Sequence, residues 1–369
     1  MKNITMVGFT HWLGIGGGTI HTNFLISSWE STGIKTCISD LVSTGSFTFL
    51  SVIKATVRSL FVGIDNLTYV EKSNIILSES PYPPDIILAF RFSRKYNKPI
   101  VIYFHHITPD ISVYPFRRGF FRVALNVLYT TIALFFVRHF QIPIFLDNPR
   151  SLDDSSIAVY PDLDAIPHNV SIDMQTRPDS KVAYDICYVG RIENHKGIED
   201  VIHVIRTLKV NAGLNLKVVL AGKGKEKYVR KIKKMINRYD LTNSITLKGY
   251  VSELEKYDLL KKSRIFLFLS YEEGWSISVM EAAYSNTPII AYDLPAYYYL
   301  KGNYFPVNLG DIQMCALTVK EVLDNYTLAK TRSVKAKECV DRFSYEFIAR
   351  QQLVFFKKII ENYGVDINV

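Results

Sequence analysis

YEEGWSISVMEAAYSNTPIIAYD, residues 271–293, follows an apolar run, Ile265 to Leu269 (IFLFL), that is rich in the β-branched and aromatic types of a buried strand. After this strand come two acids eight positions apart, Glu273 and Glu281, with Gly274-Trp275-Ser276-Ile277-Ser278 between them. Val279-Met280-Glu281-Ala282-Ala283 has helical composition, and Ser276 or Ser278 is the expected cap. The reading is strand, glycine-bearing turn, helix N-terminus. Such a terminus presents backbone N–H groups and a partial positive charge, which suit a phosphate or diphosphate. Taken alone, acids at this spacing read as ordinary surface residues.

At 369 residues the chain exceeds what one hydrophobic core supports, so two domains are expected. A composition 48% hydrophobic and 21% charged is that of a folded globular protein, which argues against disorder. Cys37, Cys187, Cys315 and Cys339 are scattered without a Cys-x-x-Cys pair, which argues against both a structural zinc site and a disulfide framework and fits a reducing cytoplasm. The opening MKNITMVGFTHWLG reads as a first strand, not a signal peptide. The net charge of +9 favours polyanions without choosing among them.

In the first half, strand-like Asn3 to Thr10 leads into the glycine-dense Gly14-Ile-Gly16-Gly17-Gly18 and a helix-like Ile20 to Ser28. The spacing is not the dinucleotide fingerprint, yet it allows a ligand close to the backbone. Further strands at Lys35 to Ser39, Asn74 to Leu77 and Pro99 to Phe104 alternate with amphipathic segments, predicting a parallel sheet covered by helices. The last of these ends in His105-His106, where open α/β sheets place ligands. Adjacent loop histidines suit one metal poorly, and no metal site is expected.

Ile111 to Leu146 carries no acid but holds Arg117, Arg118, Arg122 and Arg138 among many aromatics. Its apolar centre, Val123 to Val137, is too short to span a bilayer. It reads as a buried helix or as a basic-aromatic flank for an anionic membrane interface. The Pro- and Asp-rich line Asp153 to Asp185 marks the domain boundary. A second α/β series follows, from the strand Tyr184 to Val189 through Pro288 to Tyr292, and a helical tail runs from Ser344 to Asn362. Domains are therefore expected at 1–165, 166–343 and, for the C-terminal helix, 344–369.

Gly190-Arg191-Ile-Glu-Asn-His-Lys196-Gly197 places two cations at a strand end of the same sheet that carries the Glu273 turn. Cations and a helix N-terminus around two glutamates point to a nucleoside diphosphate sugar. With YVGRIENHKGIEDVI, LKVVLAGKGKE, ITLKGYVS and LSYEEGWSISVMEAAYSNTPIIAYD in that order, the chain resembles the GT-B glycosyltransferases, specifically retaining glycosyltransferase family 4. The resemblance implies two Rossmann-like domains facing each other across a cleft, with the C-terminal helix packing back on the N-terminal domain. It implies that Gly190, Arg191 and Lys196 hold the donor diphosphate, that Glu281 takes the ribose hydroxyls and that Glu273 contacts the donor sugar. Backbone N–H groups of Gly274, Trp275, Ser276, Ile277 and Ser278 would meet the phosphates, and Gly249 and Tyr250 would border the base. Gly16, Gly17 and Gly18 match a glycine loop beside the diphosphate, and His105 or His106 a histidine near the sugar.

Two departures stand out. Tyr160-Pro161-Asp162-Leu163-Asp164 replaces a common Pro-Asn-Gly-Val-Asp entry, and Trp275-Ser276 replaces a common Phe-Gly. The expectation is a cytoplasmic hexosyltransferase, peripheral at the inner membrane face, that uses a UDP- or GDP-linked sugar and no further cofactor. Its acceptor would be a lipid-linked or membrane-associated glycan. A soluble acceptor and a nucleotide-sugar epimerase of the same architecture are the alternatives. Nucleic-acid binding is not expected, because the lysine run Lys223 to Lys234 holds the single aromatic Tyr228 and not the interleaved aromatics of a stacking platform, and reads as a solvated helix face.

Overall fold

The structure, a computed structural model, describes residues 3–7, 17–39, 41, 49–104, 120–146, 152, 158–161, 182–343 and 345–363. Its contacts divide the chain into two units. The first holds Met1–Pro115, Gly119–Ala165 and Phe343–Val369; the second holds Phe116–Arg118 and Ile166–Arg342.

In the first unit, strands β1 (Asn3–Val7), β2 (Lys35–Ser39), β3 (Ile75–Ser78), β4 (Ile100–Phe104), β5 (Ile144–Leu146) and β6 (Val159–Pro161) form one parallel sheet in the order β2-β1-β3-β4-β5-β6. The central strands are buried and mostly apolar, with Thr5 and Ser78 the buried polar exceptions, because helices cover both sheet faces, as in parallel sheets generally. The helices are α1 (Gly17–Ser31), α2 (Phe49–Phe61), the short α3 (Thr68–Glu71), α4 (Pro83–Tyr96) and α5 (Phe120–Phe140). Val52 and Ala55 of α2, Leu88, Ala89 and Phe92 of α4 and Ala133 and Val137 of α5 share one buried cluster with β3 and β4.

Two expectations need correction here. Val159–Pro161 lies in a stretch read as irregular, yet it pairs with β5 as the sheet edge, where proline costs no ladder bond on its free side. The apolar centre Val123 to Val137 is part of a 21-residue helix, because the aromatic and arginine flanks continue it. Among the described residues no helix is long and apolar enough to cross a membrane.

The second unit repeats the plan with β7 (Tyr184–Val189), α6 (Ile198–Ala212), β8 (Val218–Ala221), α7 (Glu226–Arg238), β9 (Ile245–Gly249), α8 (Glu253–Lys261), β10 (Ser263–Phe268), α9 (Ile277–Tyr284), β11 (Ile289–Tyr292) and β12 (Phe305–Val307). The order β12-β11-β10-β7-β8-β9 is the doubly wound Rossmann order, with the winding reversing between β7 and β10. Helices α10 (Ile312–Asp324) and α11 (Tyr326–Val340), together with β12, follow a stretch in which the sequence suggested no element.

The closing helix α12 (Tyr345–Tyr363) packs on α1 of the first unit, as expected of a helix that returns to the N-terminal domain. Phe356 is fully buried there, its ring 5.6 Å from Trp29 and 5.5 Å from Phe145. Removing a buried aromatic from such a nest costs about 3–5 kcal/mol. Phe356→Ala should therefore speed hydrogen exchange of the β1 and β5 amides, with protection of β7 and β10 unchanged.

Candidate active site

The winding reversal fixes where a ligand of the second unit belongs, since the loops after β7 and β10 diverge at that point. Both loops carry the residues singled out by sequence. After β7 come Gly190 and Arg191, then a 3-10 turn Asn194–Lys196, then Gly197 with φ +68°. After β10 the chain runs through Ser270 and Glu273 to Ser276, where α9 begins.

The loops are sewn together by backbone. A Cβ at Gly197 would lie 1.8 Å from the Leu269 carbonyl oxygen, so only glycine permits this approach. The Tyr271 N–H donates to the His195 carbonyl at 2.9 Å, and the Ser270 hydroxyl donates to the same oxygen at 3.4 Å. Asp200, buried in the first turn of α6, accepts from the Tyr271 hydroxyl at 2.5 Å and the Tyr292 hydroxyl at 2.7 Å. One carboxylate thereby ties α6, the β10 loop and β11 together.

This suture delivers the Lys196 ammonium to Glu273, with Nζ 2.6 Å from Oε1 and both side chains largely buried. The Tyr188 and Tyr297 hydroxyls titrate well above the usual tyrosine range, first through burial and then through the negative charge of Glu273. Glu273 is thus the anionic centre of this pocket of side chains. Arg191 is half exposed and forks onto Glu193 at 3.1 and 3.2 Å. Its reach toward solvent leaves it able to exchange that carboxylate for a phosphate.

Glu281 sits one helix further on and is buried, with its own lysine. Lys256 Nζ lies 2.5 Å from Glu281 Oε1 and 2.7 Å from Glu253 Oε2, and the Tyr257 hydroxyl adds a long contact to Glu281 at 3.4 Å. Helix α8 is pinned for this task by a capping box, in which Ser252 Oγ accepts from the Glu255 N–H and Glu255 accepts from the Ser252 N–H at 2.9 Å. Burial pushes the Glu281 carboxyl above its usual range against the pull of Lys256. Burial also pulls Lys256 down, but Glu281 and Glu253 outweigh it and leave its pKa raised.

The turn between the glutamates differs from expectation. Ser276 stands at the helix N-cap, but in a left-handed conformation with φ +71° and with no side-chain cap bond, so neither serine caps α9. A non-glycine residue in that region cannot present its hydroxyl to the first turn in the usual capping geometry. Trp275 is buried, its ring 4.4 Å from Tyr299 and stacked on it, so its side chain belongs to the core and only its backbone faces the turn. Ile277 and Ser278 open α9, whose first N–H groups have no intrahelical acceptor. Gly249 ends β9 with φ +75°, and the neighbouring Tyr250 is exposed with the Lys223 ammonium 4.3 Å from its ring centre. Gly17 and Gly18 lie within the first turn of α1, so the helix begins earlier than the glycine spacing suggested. Gly16, His105 and His106 lie outside the described residues, as do Arg117 and Arg118.

The sequence reading missed Asp200, Tyr271, Tyr292 and Lys256. Only the Ser252-x-x-Glu255 box before Lys256 was a readable signal. Among the described residues no group of His, Cys, Asp and Glu is arranged to hold a metal ion.

Residues 174–338 match the family of glycosyl transferases, group 1. That match covers the second unit and no part of the first sheet. The poly(ribitol-phosphate) α-N-acetylglucosaminyltransferase of Staphylococcus aureus is 28% identical over 174 residues, which is 46% of this chain and 34% of that protein. The processive diacylglycerol α-glucosyltransferase of Acholeplasma laidlawii is 26% identical over 232 residues, which is 56% of this chain and 63% of that protein. The chain thus spans only part of the curated relatives it matches. Among solved structures, a sucrose-phosphate synthase from Thermosynechococcus elongatus superimposes with a TM-score of 0.75 at 14% identity, covering 98% of this chain and 100% of the other. A glycosyltransferase from Rickettsia africae gives 0.71 at 16% identity, covering 98% and 99%. The Anabaena protein HepE in complex with UDP-glucose gives 0.71 at 13%, covering 97% and 100%. The architecture is that of the GT-B glycosyltransferases, with two parallel-sheet Rossmann-like units.

Lys256→Met should strand Glu281 as a buried lone charge and destabilise the second unit by about 3–5 kcal/mol at neutral pH. A carboxyl whose pKa is raised by folding contributes stability that is complete below its unfolded pKa and fades as pH rises through the folded one. The deficit of Lys256→Met relative to the unaltered protein should therefore shrink as pH falls from neutral through the raised folded-state pKa of Glu281 and be smallest once the pH is below the unfolded value of about 4.3, as measured by denaturant unfolding at each pH.

Proposed function

We propose that the chain is a glycosyltransferase that moves a hexosyl group from a UDP- or GDP-linked sugar to a glycan acceptor with retention of anomeric configuration. The observation that carries this reading is the Lys196–Glu273 pair at the winding reversal, flanked by the start of α9 and by Arg191. A diphosphate entering there would draw the Lys196 ammonium and Arg191 to its oxygens and release Glu273 for sugar hydroxyls. Glu281, aimed by Lys256, is the group for the ribose.

In the reaction the bond from the anomeric carbon to the diphosphate oxygen breaks and the acceptor hydroxyl oxygen bonds that carbon. The hydroxyl proton leaves with the departing phosphate. Charge gathering on the diphosphate is met by Arg191, Lys196 and the N–H groups of α9. His105 or His106, next in sequence after β4, is assigned to orient the sugar. We place the acceptor on a lipid or at the inner membrane face, in keeping with a relative whose name specifies diacylglycerol glucosylation. A transferase with a soluble acceptor shares the same donor chemistry.

A thermal-shift panel of nucleoside diphosphate sugars tests the donor. A cognate donor at a hundred times its dissociation constant should raise the melting temperature by about 5–10 °C. Glu281→Ala should abolish the shift for every donor. Glu273→Ala should keep the shift for free nucleotide and lower turnover by about a hundredfold or more. Absence of any shift in the unaltered protein overturns the reading, and a product of inverted anomeric configuration by NMR overturns retention.

A further inference from the structure

Helix α2 is built inside out. Its inward face carries the small or hydroxylated Ser51, Val52, Ala55 and Ser59, all buried. Its outward face carries Leu50, Ile53, Val57, Leu60 and Phe61, with Phe61 80% exposed. A helix covering a sheet ordinarily does the reverse, with its large apolar residues against the core. The arrangement lets small residues pack closely on α4 but leaves five large apolar side chains in water, a cluster of the kind that marks an interaction surface.

The same face continues across the layer. The Arg91 guanidinium of α4 donates to the Ser59 carbonyl of α2 at 2.6 Å, and Phe90 of α4 packs on Phe136 and Phe140 of α5 at 4.9 and 4.6 Å. The three helices share one buried cluster, which places their outward faces on one side of the unit. On α5 that side shows Leu128, Ile132 and Phe135, the last 70% exposed.

Charge decides what covers this face. Lys54 and Arg58 on α2, Arg94 on α4 and Arg138 on α5 are exposed, and Lys95 of α4 is paired with the exposed Asp65 of the loop after α2. The sole carboxylate on the three helices is Asp85, which is buried and accepts from the Ser80 hydroxyl. An apolar stripe flanked by an excess of cations, with Asp65 beside it already paired to Lys95, is repelled by a second copy of itself. It matches the boundary between acyl chains and anionic headgroups, where apolar residues enter the interface and Lys and Arg meet the headgroups.

We infer that the outward faces of α2 and α5 form a docking surface for an anionic lipid bilayer. The inference deepens the proposal of a membrane-associated acceptor and rests on that proposal only for its purpose, since the surface lies wholly within the first unit. It also moves the membrane contact from the Ile111 to Leu146 segment alone to a patch centred on α2.

The test is flotation of the full chain with vesicles of phosphatidylcholine, with and without one third phosphatidylglycerol. The unaltered protein should float with the anionic vesicles, lose that binding in high salt and remain free of the neutral ones. Val57→Glu with Phe61→Glu, both at exposed positions, should reduce partitioning by about tenfold or more, and Lys54→Gln with Arg58→Gln by about thirtyfold. Both double variants should keep the donor-induced thermal shift, which separates failure of this inference from failure of the transferase reading. Equal partitioning to neutral vesicles, unchanged partitioning of the variants, or no vesicle binding at all overturns it. So does a concentration-dependent dimer that Val57→Glu with Phe61→Glu dissolves, which would assign the face to a second copy of the chain.

Discussion

The second unit depends on the approach of two backbones, the loop after β7 and the loop after β10. Gly197 has no side chain and can therefore lie against the Leu269 carbonyl, and once it does, Tyr271 reaches His195 and Lys196 reaches Glu273. The glycine costs conformational entropy, which Asp200 offsets by fastening the Tyr271 and Tyr292 hydroxyls behind the loops. A buried hub of one acceptor and two donors is worth more than its pairwise bonds suggest, because each contact fixes a partner for the next. The ion pair at the surface of this hub is thus a consequence of the fold and not its cause.

Both glutamates are matched by a lysine, but the pairs differ in what they permit. Lys196 and Glu273 come from separate loops over the strand ends, and each lysine also lies over a ring, Lys196 5.8 Å from Phe268 and Lys256 5.2 Å from Tyr257. An incoming anion can take the lysine without stranding it. Lys256 instead bridges Glu281 and Glu253 on a helix pinned by its capping box, so it has no comparable freedom. Both pairs are buried to a similar degree, so leaving either lysine or glutamate without a partner would cost several kcal/mol. An anion arriving between the two loops could replace Glu273 beside Lys196, whereas Lys256 is held by two carboxylates on a capped helix, a difference in keeping with the roles proposed for the two glutamates.

Much of this was legible in the sequence, and the limits are physical. The alternation of apolar strands with amphipathic helices gives both parallel sheets, because strands buried on two faces need unbroken apolar runs. The loop cations and the paired glutamates stand at strand ends that the same alternation locates. Asp200 was not legible, since it lies 71 residues from Tyr271 and 92 from Tyr292 and touches them only through the sheet order. Ser276 misled because capping statistics describe ordinary helix entries, and this turn enters through a left-handed residue with Trp275 locked beneath it. β6 escaped because Pro161 argues against a strand everywhere except at an edge, and edges are a property of the sheet.

Helix α2 marks a different limit. Periodicity reports that a helix has two faces and that one is more apolar, but it is silent on which face turns inward. Fold alone would send Leu50, Ile53, Val57 and Leu60 to the core, since each is worth about 1.5–3 kcal/mol there. Helix α2 turns Val52, Ala55 and two serines inward and packs on α4, so its close approach is made with small side chains while the larger stripe stays outside. A sequence under selection for stability alone would exchange the two faces at little cost in helix propensity. That this one keeps its large apolar residues outward, with cations and no acid on the same helix, is evidence of a second solvent acting on the first unit.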